Sequence, residues 1–194
     1  MDKDRILEAA AQIFSLKGYH AASMQDIANA VNLQKASLYH HIAGKQEILL
    51  ALLDKALDVL IERLGEVVSQ PLPPDEKLRR AIACYMQTLA ENRELASVLL
   101  FEYRSLRPDY LARHVPRRDR FERIWRDLIE DGIRSGHFSA VCRDSALTAR
   151  ALLGVMNWSI FWYRPDGPLP IETIASDFAD LFLAGLLIRE PRNG

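Results

Sequence analysis

Cysteine is scarce in this chain of 194 residues: only Cys84 and Cys142 are present, far apart and in no paired motif. A disulfide framework, a zinc ribbon or a dithiol redox centre has nothing to build on, and each cysteine reads as a small core residue or a bystander. Long apolar runs are missing too. Ala151 to Val155 and Ile160 to Tyr163 stop far short of the roughly 20 residues that span a bilayer, so no transmembrane helix is expected. The start, MDKDRILEAAAQIF, interleaves charges with apolar residues and lacks the basic opening and apolar stretch of a secretory signal, which points to the cytoplasm. Net charge is −1, and residues 1–49 balance five bases against five acids. Bulk basicity therefore announces no nucleic acid, and such a partner must be argued from local geometry. There is no nucleophile elbow, glycine-rich phosphate loop or metal-ligand cluster, so neither an enzyme nor a cofactor is indicated.

What the chain has in abundance is apolar residues at helical spacing, with no run of strand-like alternation, and an all-α fold of about nine helices follows. Residues 4–17 carry Ile6, Leu7, Ala10, Ile13, Phe14 and Leu16 as one stripe, with Gly18 as a left-handed stop. Ser23 and Asp26 have capping-box spacing at the start of a short helix over Met24 to Val31, which Asn32 ends. A second short helix covers Lys35 to His41, and a long one runs from Lys45 to Val68. The proline-rich QPLPPDE is a loop. Further helices are expected over 75–91, 93–106, 108–135 (bent or split by Pro116), 144–164 and 171–188.

Two short helices joined by a tight turn match the helix-turn-helix, whose second helix enters the major groove of DNA. Ile27, Ala28, Val31, Leu33, Leu38 and Ile42 can close a core with the first helix, leaving Gln34, Lys35, Ser37, Tyr39 and His40 to face outward. Gln34 and Lys35 can donate to base edges, and small Ala36 and Ser37 permit close approach. Lys45 opens the long helix, where its ammonium and the first-turn amides suit a phosphate. Adjacent helical residues point about 100° apart, so His40 and His41 do not converge on a metal. His41 is expected to pack near the junction with the long helix.

RILEAAAQIFSLKGYHAASMQDIANAVNLQKASLYHHIAGKQEIL, residues 5–49, resembles the tetracycline-repressor (TetR) family of bacterial transcription regulators. Phe14, Gly18, Tyr19, Ser23, Ile27, Ala28, Leu38, Tyr39, His41, Lys45 and Ile48 occupy the family's motif positions; Asn32 and Ile42 replace its more usual Gly and Phe. The resemblance implies a DNA-binding domain over residues 1–48 and a ligand-binding and dimerisation domain over 49–194. It implies backbone contacts from Tyr39, His40, Lys45, Ser23 and Gln25, and base reading by Gln34, Lys35 and Ser37.

In the larger part, Tyr85, Met86, Leu89, Leu99, Phe101, Tyr103, Phe121, Trp125, Trp158 and Trp162 each suit core packing, and as a set they suit an apolar effector pocket. Residues 104–126 hold eight arginines against three acids. This run is either a solvated face or a site for a phosphorylated effector. The stretch from Ala151 to Leu187 looks like the branch of the family that responds to acyl-CoA thioesters. The apolar faces of 144–164 and 171–188, with small Gly154, Ala184 and Gly185, correspond to the pair through which the family forms homodimers. Together these imply a repressor that binds a palindromic double-stranded operator, released when an effector changes the tilt of the helix from Lys45. The competing reading is a small helical ligand carrier or enzyme in which the helix-turn-helix is structural.

Overall fold

In the computed structural model, residues 3–139 and 144–187 are described, and among them the apolar periodicity becomes nine α-helices and no strand. They are α1 (Lys3–Lys17), α2 (Met24–Ala30), α3 (Lys35–His41), α4 (Lys45–Val68), α5 (Pro74–Glu91), α6 (Arg93–Phe101), α7 (Pro108–Arg134), α8 (Ser145–Trp162) and α9 (Ile171–Leu186). The helix expected over 93–106 ends at Phe101 and is followed by a single 3-10 turn, Tyr103–Ser105. Pro108 disfavours helix in Arg107 and suits the first turn of α7, which it opens. Pro116 does not split α7, which runs through it. Cys142 lies outside the described residues. Cys84 is a half-buried free thiol that burial pushes above its ordinary pKa.

The chain forms two compact units, each built from separated segments: Met1–Val59 with Asn92–Asp119, and Leu60–Glu91 with Arg120–Gly194. In the first, α1 buries Ile6, Leu7, Ala10, Ala11 and Phe14 on one stripe and packs along α6. Leu16, expected on that stripe, is instead 85% exposed, because it falls two residues beyond Phe14 and so on the opposite side of the helix. Gly18 takes a left-handed φ of 78° and donates to the Phe14 carbonyl at 2.9 Å, which ends α1. Asn32, at φ 57°, turns the chain from α2 towards α3.

In the second unit, α5 packs most extensively against α9 and also meets α8. Its core takes Leu78, Ile82, Tyr85 and Met86 from α5, Phe121, Trp125 and Ile129 from α7, Met156 from α8, and Ile174 and Leu183 from α9. After α7, the buried ring of Phe138 lies where a Cβ on Gly132 would stand, and the amides of His137 and Phe138 both reach the Gly132 carbonyl at 2.9 Å. An alanine inside a helix ordinarily gains up to about 1 kcal/mol over glycine, but overpacking here costs about 1–3 kcal/mol. Gly132→Ala is therefore expected to lower the thermal unfolding midpoint, whereas Gly65→Ala, with nothing within 4 Å of the new methyl, should leave it unchanged or raise it.

Candidate nucleic-acid interface

The interface begins with how α2 and α3 are held. Ser23 caps α2: its Oγ accepts from the Asp26 amide at 3.1 Å and donates to Asp26 Oδ2 at 2.7 Å, while its own amide donates to the same carboxylate at 2.8 Å. The capping box expected from the sequence is thus formed, with Asp in the place of Glu. Those bonds from Ser23, helped by the Lys17 ammonium at 3.0 Å, hold the Asp26 carboxyl at a pKa of about 2. Because this folded-state value is depressed, the contribution to stability is present above the ordinary carboxylate pKa and is lost as pH falls towards 2.

In α3, Leu38 is the one buried residue, and Ile42 just beyond it is also buried. Gln34, Lys35, Tyr39 and His40 are exposed, and Ser37 is half-buried. Tyr39 is 47% exposed, a large aromatic ring left at the surface. Ser23 and Gln25 are exposed at the start of α2, where Gln25 Nε2 donates to Asn29 Oδ1 at 2.8 Å. His41, expected to be packed, is exposed instead: Leu38 and Ile42 take the inward positions of the last turn and leave it at the rim.

The Lys45 side chain is held against the loop between α1 and α2. Its ammonium donates to the carbonyls of Tyr19 at 2.8 Å and Ala22 at 2.7 Å and lies 4.3 Å from the centre of the Tyr19 ring. Desolvation there lowers its pKa. The lysine ties the α1–α2 loop to the first turn of α4, which fixes where α2 and α3 emerge.

Sequence reasoning missed the residues that complete this tie. Gln46 Nε2 donates to the Tyr19 hydroxyl at 2.7 Å and to the Ser105 carbonyl at 2.8 Å, and its Oε1 accepts from the Arg107 amide at 2.9 Å. Glu102 accepts from the Tyr19 amide at 3.1 Å and from Ser105 Oγ at 3.2 Å. Farther along α4, Asp54 bonds the buried His114 at 2.8 Å and Arg117 at 2.9 Å, and Arg117 also reaches Asp58 at 3.0 Å. Only the Tyr19 position carried a motif signal; a glutamine between a lysine and a glutamate at a helix start carries none.

Of the arginine-rich segment, Arg107, Arg113 and Arg117 pair with Asp109, Glu47 and the Asp54–Asp58 pair. Arg120, Arg123 and Arg126 are exposed on α7 without an ion-pair partner among the described residues. The expected effector residues divide. Tyr85, Met86, Leu89, Phe121 and Trp125 are buried in the second unit, with Tyr85 5.8 Å from Phe121 and 5.7 Å from Trp125, ring centre to ring centre. Leu99 and Tyr103 belong to the first unit and are half-buried against its core. Trp158 and Trp162, expected to line a cavity, are exposed on α8, as Phe101 is at the end of α6, because the inward face of α8 belongs to Ala149, Leu152, Leu153 and Met156. A groove of about 520 Å³ lies between α5 and α9, lined by Arg79, Ala83, Cys84, Gln87, Ile171, Glu172, Ala175 and Ser176, none of them an expected effector residue.

Residues 6–52 match the family model described as bacterial regulatory proteins, tetR family, and residues 71–186 match the one described as tetracyclin repressor-like, C-terminal domain. The HTH-type transcriptional repressor KstR2 of Mycobacterium tuberculosis is 28% identical over 185 residues, which cover 95% of this chain and 92% of the relative. Among solved structures, the TetR family regulator PfmR of Thermus thermophilus has a TM-score of 0.85 at 40% identity, over 94% of this chain and 98% of its own. AibR, crystallised with isovaleryl coenzyme A and operator DNA, has a TM-score of 0.84 at 28% identity, over 92% and 96% of the two chains.

The capping geometry has a direct test. Ser23→Ala should lower the unfolding midpoint by about 2–4 °C, and NMR titration should find the Asp26 carboxyl moved up towards the ordinary carboxylate range.

Proposed function

We infer that this chain, which belongs to the TetR family of bacterial transcriptional regulators, is a repressor that binds a palindromic operator in double-stranded DNA as a homodimer and leaves it when an acyl-coenzyme A is bound. One observation carries the DNA reading: α3 is anchored by Leu38 alone and turns Gln34, Lys35, Tyr39 and His40 outward. A helix presented in this way matches the recognition helix of the major groove. Gln34, Lys35 and Ser37 are assigned to base edges, and Tyr39, His40, Ser23 and Gln25 to phosphates. Lys45 is assigned a double part. Its ammonium holds the loop carbonyls of Tyr19, Ala22 and, at 3.5 Å, His20, while its positive charge and the first-turn amides of α4 are assigned to a phosphate. On this reading residues 1–48 read DNA, 49–194 take the effector and the second copy, and the protein works beside the chromosome in the cytoplasm.

The homodimer is supported by apolar surface on α8 and α9. Leu147, Trp158, Phe161 and Leu181 each leave more than half their surface exposed, and the first three recur along one side of α8 with Ala151, Gly154 and Val155. Contiguous exposed apolar surface of this kind marks an interaction site. Dimeric helix-turn-helix proteins present two recognition helices to half-sites one helical turn apart.

Acyl-CoA as the ligand, as distinct from the direction of its effect on DNA, is supported by AibR, a structural neighbour crystallised with isovaleryl coenzyme A and operator DNA together, and by two features of this chain. The aromatic cluster of Tyr85, Phe121 and Trp125 offers apolar contacts to an acyl chain, and Arg120, Arg123 and Arg126 recur at helical spacing as exposed guanidiniums suited to the coenzyme's phosphates. An effector releases DNA only if it binds the released arrangement more tightly than the bound one.

Substitutions in α3 test the assignment. Tyr39→Ala should weaken binding to every sequence alike and leave the salt slope unchanged, since a neutral phenol releases no counterion. Gln34→Ala should instead relax preference at one base pair of each half-site, at a cost of about 1–3 kcal/mol for the favoured base. Fluorescence anisotropy on a set of single-base operator variants separates the two; operator affinity unchanged by Tyr39→Ala contradicts the site.

A further inference from the structure

We propose that the indole N–H of Trp125 is the polar anchor of the effector, donating a hydrogen bond to the thioester carbonyl of an acyl-coenzyme A whose chain lies against Tyr85 and Phe121. The proposal rests on the acyl-CoA reading above and assigns the atom that recognises the ligand's one interior polar group.

Trp125 has no exposed surface, yet its Nε1–H has no hydrogen-bond acceptor among the described residues. Buried donors are almost always paired, so one left open among the described residues calls for an acceptor from outside them. The surroundings sharpen this. Tyr85, itself buried, stands edge-on to Trp125 with the ring planes at 88°, and its hydroxyl is committed to Asn157 Oδ1 at 2.5 Å. Phe121 faces Tyr85 from one turn earlier on α7, with 30° between the rings. Within this aromatic cluster every polar side-chain atom except the indole nitrogen is therefore satisfied.

A site chosen for packing alone has no need of a donor: phenylalanine fills a core position without one. The acceptor that fits a single N–H among aromatic rings is a single carbonyl oxygen on an otherwise apolar molecule. A thioester carbonyl answers that description, with an alkyl chain on one side and sulfur on the other.

The test compares ligands with and without the oxygen, in protein with and without the donor. Isovaleryl-, octanoyl- and palmitoyl-CoA are titrated into the full chain by calorimetry. The tightest is then set against its thioether analogue, in which a methylene replaces the carbonyl. The wild type should bind the thioester about tenfold more tightly than the thioether or better, and Trp125→Phe should bind both alike at the thioether's level. In indole ¹⁵N spectra, the Trp125 N–H should move downfield with the thioester, while Trp158 and Trp162 keep their positions. If Trp125→Phe does not fold, β-(3-benzothienyl)alanine at position 125 keeps the ring's size without the donor and serves the same comparison. Equal binding of thioester and thioether by the wild type, or a preference that survives loss of the donor, overturns the anchor and leaves the acyl-CoA reading standing. Failure of all three thioesters to bind overturns both.

Discussion

Leu38 carries α3. A helix of seven residues does not persist alone in water, since the cost of nucleating it is recovered only over a dozen residues or more. This one persists because Leu38 is fully buried in a core that also holds Phe14, Ile27, Ala28 and Ile42. Burial of one leucine side chain stabilises by about 1.5–3 kcal/mol, which suffices to dock a helix whose ends are already set by the turn at Asn32 and by the Ile42 amide bonded to the Leu38 carbonyl. The consequence is chemical as well as structural. With one residue facing in, the remaining positions of α3 make no demand on the core, and their polar side chains are left for a partner.

Where α3 points depends on a second set of bonds. Lys45 and Gln46, the first two residues of α4, together hold the Tyr19 and Ala22 carbonyls, the Tyr19 hydroxyl, the Ser105 carbonyl and the Arg107 amide. Residues 102–107, which join α6 to α7, are thus bonded to the loop between α1 and α2, although more than eighty positions separate them in sequence. The first compact unit includes Asn92–Asp119 for this reason, and the pairing of Asp54 and Asp58 on α4 with His114 and Arg117 on α7 extends the same association. On the proposed function, an effector that favours one arrangement of the α6–α7 connection biases the first turn of α4, and the recognition helix with it.

The helix-turn-helix part is legible in the sequence because its signals are local. Gly18 and Asn32 take the left-handed angles their positions suggest, and Ser23 and Asp26 form the cap their spacing suggests. Helix periodicity places Leu38 and Ile42 inward without reference to any distant residue. The differences arise where that periodicity meets its limits. Leu16 and His41 sit in last turns, where an apolar or aromatic residue can fall beyond the buried stripe. Trp158 and Trp162 suit a cavity by their size, whereas α8 turns smaller side chains inward and leaves its largest rings outside. Gln46 and Glu102 have no signal at all. Their role exists only once residues far apart in the chain are brought within hydrogen-bond reach of each other, and neither spacing nor composition records that.

On the proposed function, an exposed α3 held by a single buried leucine reads DNA as one half of a symmetric pair. Selection of bound duplexes from a random pool with the purified protein, followed by a salt titration of the enriched sequence, tests it most directly. The expected result is a palindrome whose half-site centres lie about one helical turn apart, bound with an affinity that falls steeply as salt rises. Absence of any enriched sequence at low salt, in protein shown to be free of bound ligand, would contradict it and leave α3 as a structural element of a ligand carrier.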